Sequence, residues 1–207
     1  EVEACLNALA KKEVVLFRDK LNSYVLRQKV DVDIEEKLTQ CEQEITHFSL
    51  TKQLDEVMGH RYELPKKYNH VHGMTRFFDY IFMETEQFFA LDSTEPLYEE
   101  SLGGSFADGK ILLLIDSYAK DRKKAKQHLN ALNDDKLIVI YPDKPFDVEG
   151  LLRRIKGIHM ILQQEEYLNH DEVLIEELLM MEEDCQYKLN WMFETHFVPG
   201  RAECEVY

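Results

Sequence analysis

Gly104-Ser105-Phe106-Ala107-Asp108-Gly109-Lys110-Ile111-Leu112-Leu113-Leu114-Ile115-Asp116 is the stretch on which the fold turns. Its glycine-to-lysine run is one residue short of a phosphate-binding loop, because Ile111 stands where the motif needs a Ser or Thr to hold Mg²⁺. The order of elements decides against such a loop. A phosphate-binding loop follows a strand and opens a helix, so that backbone N–H groups and the helix dipole face the anion. Here the glycine-rich run precedes an apolar strand. The stretch therefore reads as a glycine turn feeding a buried strand, with Lys110 as its solvent-side first residue.

Working outward, Ile111 to Ile115 shows no polar alternation, which marks a strand covered on both faces, as in a parallel sheet. Ala119 to Leu132 has a helical pattern, and Leu137 to Tyr141 is a second buried strand. Strand, helix and strand make a right-handed β-α-β crossover. Pro142-Asp143-Lys144-Pro145 stops the second strand. Asp147 is placed to cap a helix reaching about Leu162, with a core face of Leu151, Ile155, Ile158 and Leu162. Asp171 to about Thr195 carries Leu174, Leu178, Met181, Cys185, Leu189 and Met192 at three- and four-residue steps, a seam that wants a partner helix. The short link from Glu166 to His170 joins the two as an antiparallel hairpin.

Upstream, Arg76 to Met83 reads as a buried strand, with a helix as the alternative that an apolar run leaves open. Tyr62 to Gly73 and Leu91 to Gly104 read as irregular. Asp31 or Asp33 can cap a helix running to about Thr51 or Met58, with Ile34, Leu38, Cys41, Ile45 and Phe48 as its apolar stripe. Ala4 to Lys12 is helical in pattern. Val14 to Arg18 and Ser23 to Arg27 read as a hairpin around Asp19 to Asn22. Helix plus hairpin is either the closing half of a winged helix or a plain packing unit. The expected fold is α/β: a winged-helix remnant at 1–30, a linker helix at 31–60, a small α/β domain at 61–146, a helical hairpin at 147–196, and the start of a following segment at 197–207.

The chain has 207 residues and a formal net charge of −15. That charge argues against nucleic-acid binding, which requires clusters of Lys and Arg. Lys120 to Lys126 is the densest basic run, and its spacing suits a solvated helix face. Cys5, Cys41, Cys185 and Cys204 lie far apart without CxxC spacing, as expected of thiols in a reducing cytoplasm. No signal peptide and no membrane-spanning segment is expected from the sequence. Glu1 opens within a helical pattern and Val206-Tyr207 closes in a strand-like one, so the chain is expected to be an internal piece of a longer protein.

Four sets of residues carry possible chemistry. His70 and His72 alternate as a weak metal pair that His60 or Asp79 would have to complete. Asp108, Lys110 and Asp116 give an acid-x-lysine step and a strand-end acid, the parts of a metal-dependent nuclease or hydrolase. Glu44 and His47 form a single ExxH, and a di-iron bundle needs two. Arg76, at the mouth of an aromatic run, can stack on Tyr68, pair with an acid such as Glu63, or sense a phosphate. The structural anchor is the reading favoured for Arg76. The C-terminal acids Glu176, Glu177, Glu182, Glu183 and Asp184 are expected on the wet face of the long helix. No catalytic residue and no cofactor is expected.

Tyr68-Asn69-His70-Val71-His72-Gly73-Met74-Thr75-Arg76-Phe77-Phe78 resembles a "YN…G.TRYF" segment, and Lys136 to Phe146 running into Leu151 to Ile155 resembles a "strand–PDKPF–helix" segment. Both are similar to segments of large bacterial P-loop ATPases of the BREX-like phage-defence and restriction kind. The resemblance implies a region downstream of the ATPase core, with a winged-helix unit, a linker, a small α/β domain and long helices. It implies a nucleotide-binding loop upstream of Glu1 and carries over no catalytic residue. The function expected is a non-catalytic assembly or regulatory module of a cytoplasmic ATPase, whose partners are other domains of the same polypeptide and other subunits, without membrane. The rivals are the metal-dependent nuclease or hydrolase and a nucleic-acid-binding adaptor.

Overall fold

The computed structural model describes residues 2–12, 14–18, 20–26, 33–99, 107–116, 122–142, 144–168, 171–198 and 204–206. Asp31, Gly104 to Phe106, the segment before Arg122, and Asp143 lie outside the described residues. The fold is mixed α/β, and two compact units divide it. Both are discontinuous in sequence.

The first unit is Glu1–Phe48 with Val148–Trp191. Helix α1 (Val2–Lys11) leads into strands β1 (Val15–Arg18) and β2 (Ser23–Leu26), which pair antiparallel in the expected helix-plus-hairpin order. Helix α2 (Ile34–Glu44) is capped by Asp33, whose carboxylate accepts the Glu36 N–H at 3.0 Å. It ends at Glu44, where Ile45 turns extended, so the long linker helix is in fact two helices. Helix α8 (Glu149–Leu162), the short α9 (Glu165–Leu168) and α10 (Glu172–Phe197) complete the unit, with α10 running on past its boundary. Antiparallel pairing of α8 and α10 shows in the His159 to Glu182 hydrogen bond, with Arg154, earlier on α8, lying near Cys185, later on α10.

One core cluster joins Ile34, Leu38 and Cys41 of α2 with Ile158 and Ile161 of α8, Leu168, and Leu174, Leu178 and Met181 of α10. Gly157 lets α8 approach α2: a Cβ there would sit 2.8 Å from Leu38 Cδ1. The buried face of α8 is Leu152, Ile155, Ile158 and Ile161, one step round from the face expected. Val148, not Asp147, occupies the N-cap and is itself buried, and it offers no side-chain cap.

The second unit is Ser49–Asp147 with Met192–Tyr207. Its five-stranded sheet has the order β3-β4-β5-β6-β7. Strands β4 (Phe78–Met83), β5 (Gly109–Leu114) and β6 (Leu137–Pro142) are parallel, and the edge strands β3 (Tyr62–Glu63) and β7 (Cys204–Val206) are antiparallel to their neighbours. Residues 78–83 are thus a strand, and residues 204–206 form an edge strand of the same sheet. Helix α7 (Arg122–Leu132) forms the β5-α7-β6 crossover. Helices α5 (Thr85–Phe89) and α6 (Glu95–Glu99) lie in the connection from β4 to β5, and α6 falls within the Leu91 to Gly104 stretch expected as loop. Helix α3 (Leu50–Met58) precedes β3, and α4 (Lys66–His72) falls in the stretch expected to be irregular. Gly73 closes α4 in the left-handed conformation that glycine adopts without a Cβ clash.

Strand alternation sorts the sheet's two faces. Met83, Leu112, Leu114, Leu137, Val139 and Tyr141 share a core with Phe88, Leu97 and Ala125, so α5, α6 and α7 cover one face. On the other, Tyr80 and Phe82 meet Phe193 edge-on, and Phe82 and Phe146 meet Phe197. Phe193 and Phe197 therefore continue the buried side of α10 where Met192 was expected to.

Candidate functional site

The polar centre of the second unit lies at the start of β4 and β5. Register pairs Asp79 with Lys110, so their side chains project from the same face at adjacent positions. Lys110 Nζ donates to Asp79 Oδ2 at 2.9 Å, and the side chains are 4 % and 5 % exposed. Asp79 Oδ1 lies 3.1 Å from His60 Nε2, whose ring is half-exposed. Lys110 was expected at the solvent side. It is buried because the strand starts at Gly109, two residues before the apolar run that begins at Ile111.

Gly109 permits that start. A Cβ there would lie 2.4 Å from the Lys136 carbonyl oxygen and 2.4 Å from the Phe78 ring. The glycine that looked like part of a phosphate loop is required by close backbone approach of β6 and by an aromatic ring.

A cleft of about 420 Å³ opens beside this centre, lined by Asp55, His60, Arg61, Tyr80, Leu97 and Lys110 among others. Arg61 lies 4.6 Å above the Phe193 ring, and burial pulls its guanidinium below its ordinary pKa against the charges of Glu194 and Tyr80. Burial pushes the Asp55 carboxyl up, against the pull of His60. The Tyr80 hydroxyl donates to Glu63 at 3.2 Å, and its pKa is pushed up to about 12 by burial and then by the Glu63 charge and hydrogen bond. The cleft holds a buried ion pair, one imidazole and no serine or cysteine among its lining residues. A covalent nucleophile of that type is not part of this arrangement.

The remaining predicted residues go to separate places. Asp108 accepts the Phe77 N–H at 3.1 Å, and its own N–H donates to the Phe77 carbonyl at 2.9 Å, extending the β4–β5 pairing. Asp116 accepts both the N–H and the hydroxyl of Thr85, at 2.6 and 2.7 Å, at the first turn of α5. The two acids stand at opposite ends of β5, so at strand rise they are roughly 26 Å apart. Asp108, Lys110 and Asp116 do not converge on one point.

Arg76 lies 5.6 Å from the Tyr68 ring and 3.7 Å from Asp108, while Glu63 is engaged by Tyr80. Asn69 fastens the same loop, accepting the Arg76 N–H and donating to its carbonyl. His70 and His72 sit on α4 two residues apart, which turns them to different sides of the helix, and His72 packs on Tyr68. His60 and Asp79, the complements considered for that pair, instead meet each other. Among the described residues no group of three or more His, Cys, Asp or Glu could hold a metal.

The first unit contains a polar cluster that sequence reading did not assemble. Arg18, at the end of β1, donates to Asp184 at 2.7 Å and reaches Glu177 at 3.4 Å. Glu177 is buried, so it does not belong to the wet face expected of the acidic run. The signal was available: Glu177 follows Leu174 by three positions, one step of the helix's own apolar seam. Cys5, Cys41 and Cys185 are free thiols, and burial pushes Cys185 up. Among the described residues no helix is long and apolar enough to cross a membrane. The chain matches no family model, no curated protein and no solved structure.

Proposed function

We propose that this chain is a non-catalytic assembly or regulatory module, and that the enzyme it serves is a large cytoplasmic P-loop ATPase of the BREX-like phage-defence kind. The observation that carries the non-catalytic part is the engagement of Lys110 by Asp79 inside the sheet, with Asp108 and Asp116 each tied to backbone at opposite ends of β5. These are the groups that a nucleotide or metal reaction would use, and each has a structural partner. The ATPase attribution is supported by the Tyr68 to Phe78 and Lys136 to Phe146 resemblances, whose segments form the α4–β4 corner and β6 with its stop. Its partners are then further domains of the same polypeptide and other subunits. The net charge of −15 disfavours the nucleic-acid adaptor.

ATP hydrolysis and Mn²⁺-dependent cleavage of duplex DNA by the purified chain should stay at the level of a protein-free blank. Cleavage or hydrolysis that disappears in Asp108→Asn or Asp116→Asn would overturn the non-catalytic reading in favour of the nuclease or hydrolase.

A further inference from the structure

We infer that the first unit carries a docking groove for a basic amphipathic helix of a partner protein, built from the β1–β2 hairpin and the exposed side of α10. The inference rests on the reading of the chain as an interaction module and names what it would hold.

Helix α10 has two apolar sides within the first unit. Leu174, Leu178, Met181, Cys185 and Leu189 are buried. Val173, Met180, Tyr187 and Trp191 fall within about 40° of one another around the helix, roughly 130° from that seam. Their exposures are 36, 39, 43 and 60 %. Steps of seven, seven and four residues give the spacing of a second helix-packing stripe.

The hairpin borders the middle of this stripe. Arg18 contacts Glu177, Asp184 and the Met180 sulfur, and Lys20 pairs with Glu183. These contacts hold the hairpin beside α10 and leave a cavity of about 270 Å³ between them, walled by Leu16, Leu21, Val25, Leu26 and Met180. Leu21 and Leu26 are 61 % and 79 % exposed at its rim. The volume is below that of typical small-molecule sites and suits one large apolar side chain, the anchor of a helix laid along the stripe.

Charge chooses the occupant. Glu172, Glu176 and Glu183 run along one border of the stripe, and Glu177 and Asp184 lie with Lys188 along the other. Arg18 and Lys20 engage three of these acids, and Glu172 and Glu176 remain exposed. A second copy would set acidic border against acidic border in a chain of net charge −15. A helix with one apolar face and Lys or Arg along the edge that meets Glu172 and Glu176 complements both features.

Trp191 is the chain's single tryptophan, so its emission reads the stripe directly. The probe is a short leucine–lysine amphipathic peptide titrated into the full chain, with a leucine–glutamate peptide of equal length as counterpart. The expected result is a saturable blue shift with the lysine peptide alone. Met180→Asp, at an exposed position, should weaken it about tenfold or more. Glu172→Lys/Glu176→Lys should weaken it similarly, while Glu165→Lys/Glu166→Lys on α9 makes the same charge change and should alter it by less than about twofold. Circular dichroism confirms that each variant is folded. The inference is overturned by no saturable shift, by equal binding of the glutamate peptide, by equal weakening in the α9 variant, or by a shift on concentrating the protein alone, which would make the occupant a second copy. None of these outcomes bears on nucleotide or metal activity, so the two readings fail separately.

Discussion

Lys110 reaches across from β5 to Asp79 of β4, Nζ to Oδ2 at 2.9 Å, and the two side chains are among the most buried polar groups described. Removing the lysine leaves a carboxylate inside the sheet with only His60 beside it. Lys110→Ala should therefore destabilise the chain by about 3–5 kcal/mol in urea unfolding. The paired replacement Asp79→Leu/Lys110→Met should cost less than either single change, because no lone charge is left buried. A cost below about 1 kcal/mol for Lys110→Ala would mean that the pair is not structural.

Gly109 should tolerate no side chain. The contacts a Cβ would meet include the Lys136 carbonyl, which is backbone and cannot rotate away. Gly109→Ala should cost about 1–3 kcal/mol by strand displacement. Gly157→Ala should cost less, since there the obstacle is a terminal methyl of Leu38.

The elements that the sequence announced are those with an uninterrupted local pattern. Ile111 to Leu114, Leu137 to Tyr141 and the Leu174 to Leu189 seam each repeat one period long enough to be read. The short elements α4, α5, α6 and β3 were missed because stretches of two to seven residues carry too few periods. The polar centre was half legible. Asp79 and Lys110 were both noticed, but their meeting depends on the β4–β5 register, which no local pattern encodes. Arg18 and Glu177 are separated by more than half the chain, and only the packing of the hairpin on α10 brings them together.

Asp116 should behave as a helix cap rather than a catalytic acid. It accepts from the Thr85 N–H and hydroxyl. Asp116→Ala should lower stability by about 1 kcal/mol in thermal unfolding. Asp116→Asn, which keeps an acceptor oxygen, should recover most of it.

Tyr80 sets an alkaline limit. Its folded-state pKa is raised from 10.0 to about 12, so the folded chain holds the phenolic proton more tightly than the unfolded chain does. The resulting stability is fully present below the unfolded value near 10 and is lost as pH rises through about 12. Tyr80→Phe should make the loss of stability over that interval shallower, read by urea midpoints at successive pH values. An unchanged slope would assign the alkaline loss to other groups.

If the lysine of the glycine-rich stretch serves the fold and not a nucleotide, the chain should not bind Mg²⁺–ATP. Calorimetric titration of Mg²⁺–ATP into the wild-type chain and into Asp79→Leu/Lys110→Met, both confirmed folded, tests it most directly. No saturable heat is expected from either protein. Micromolar binding by the wild type that disappears in the double variant would contradict it.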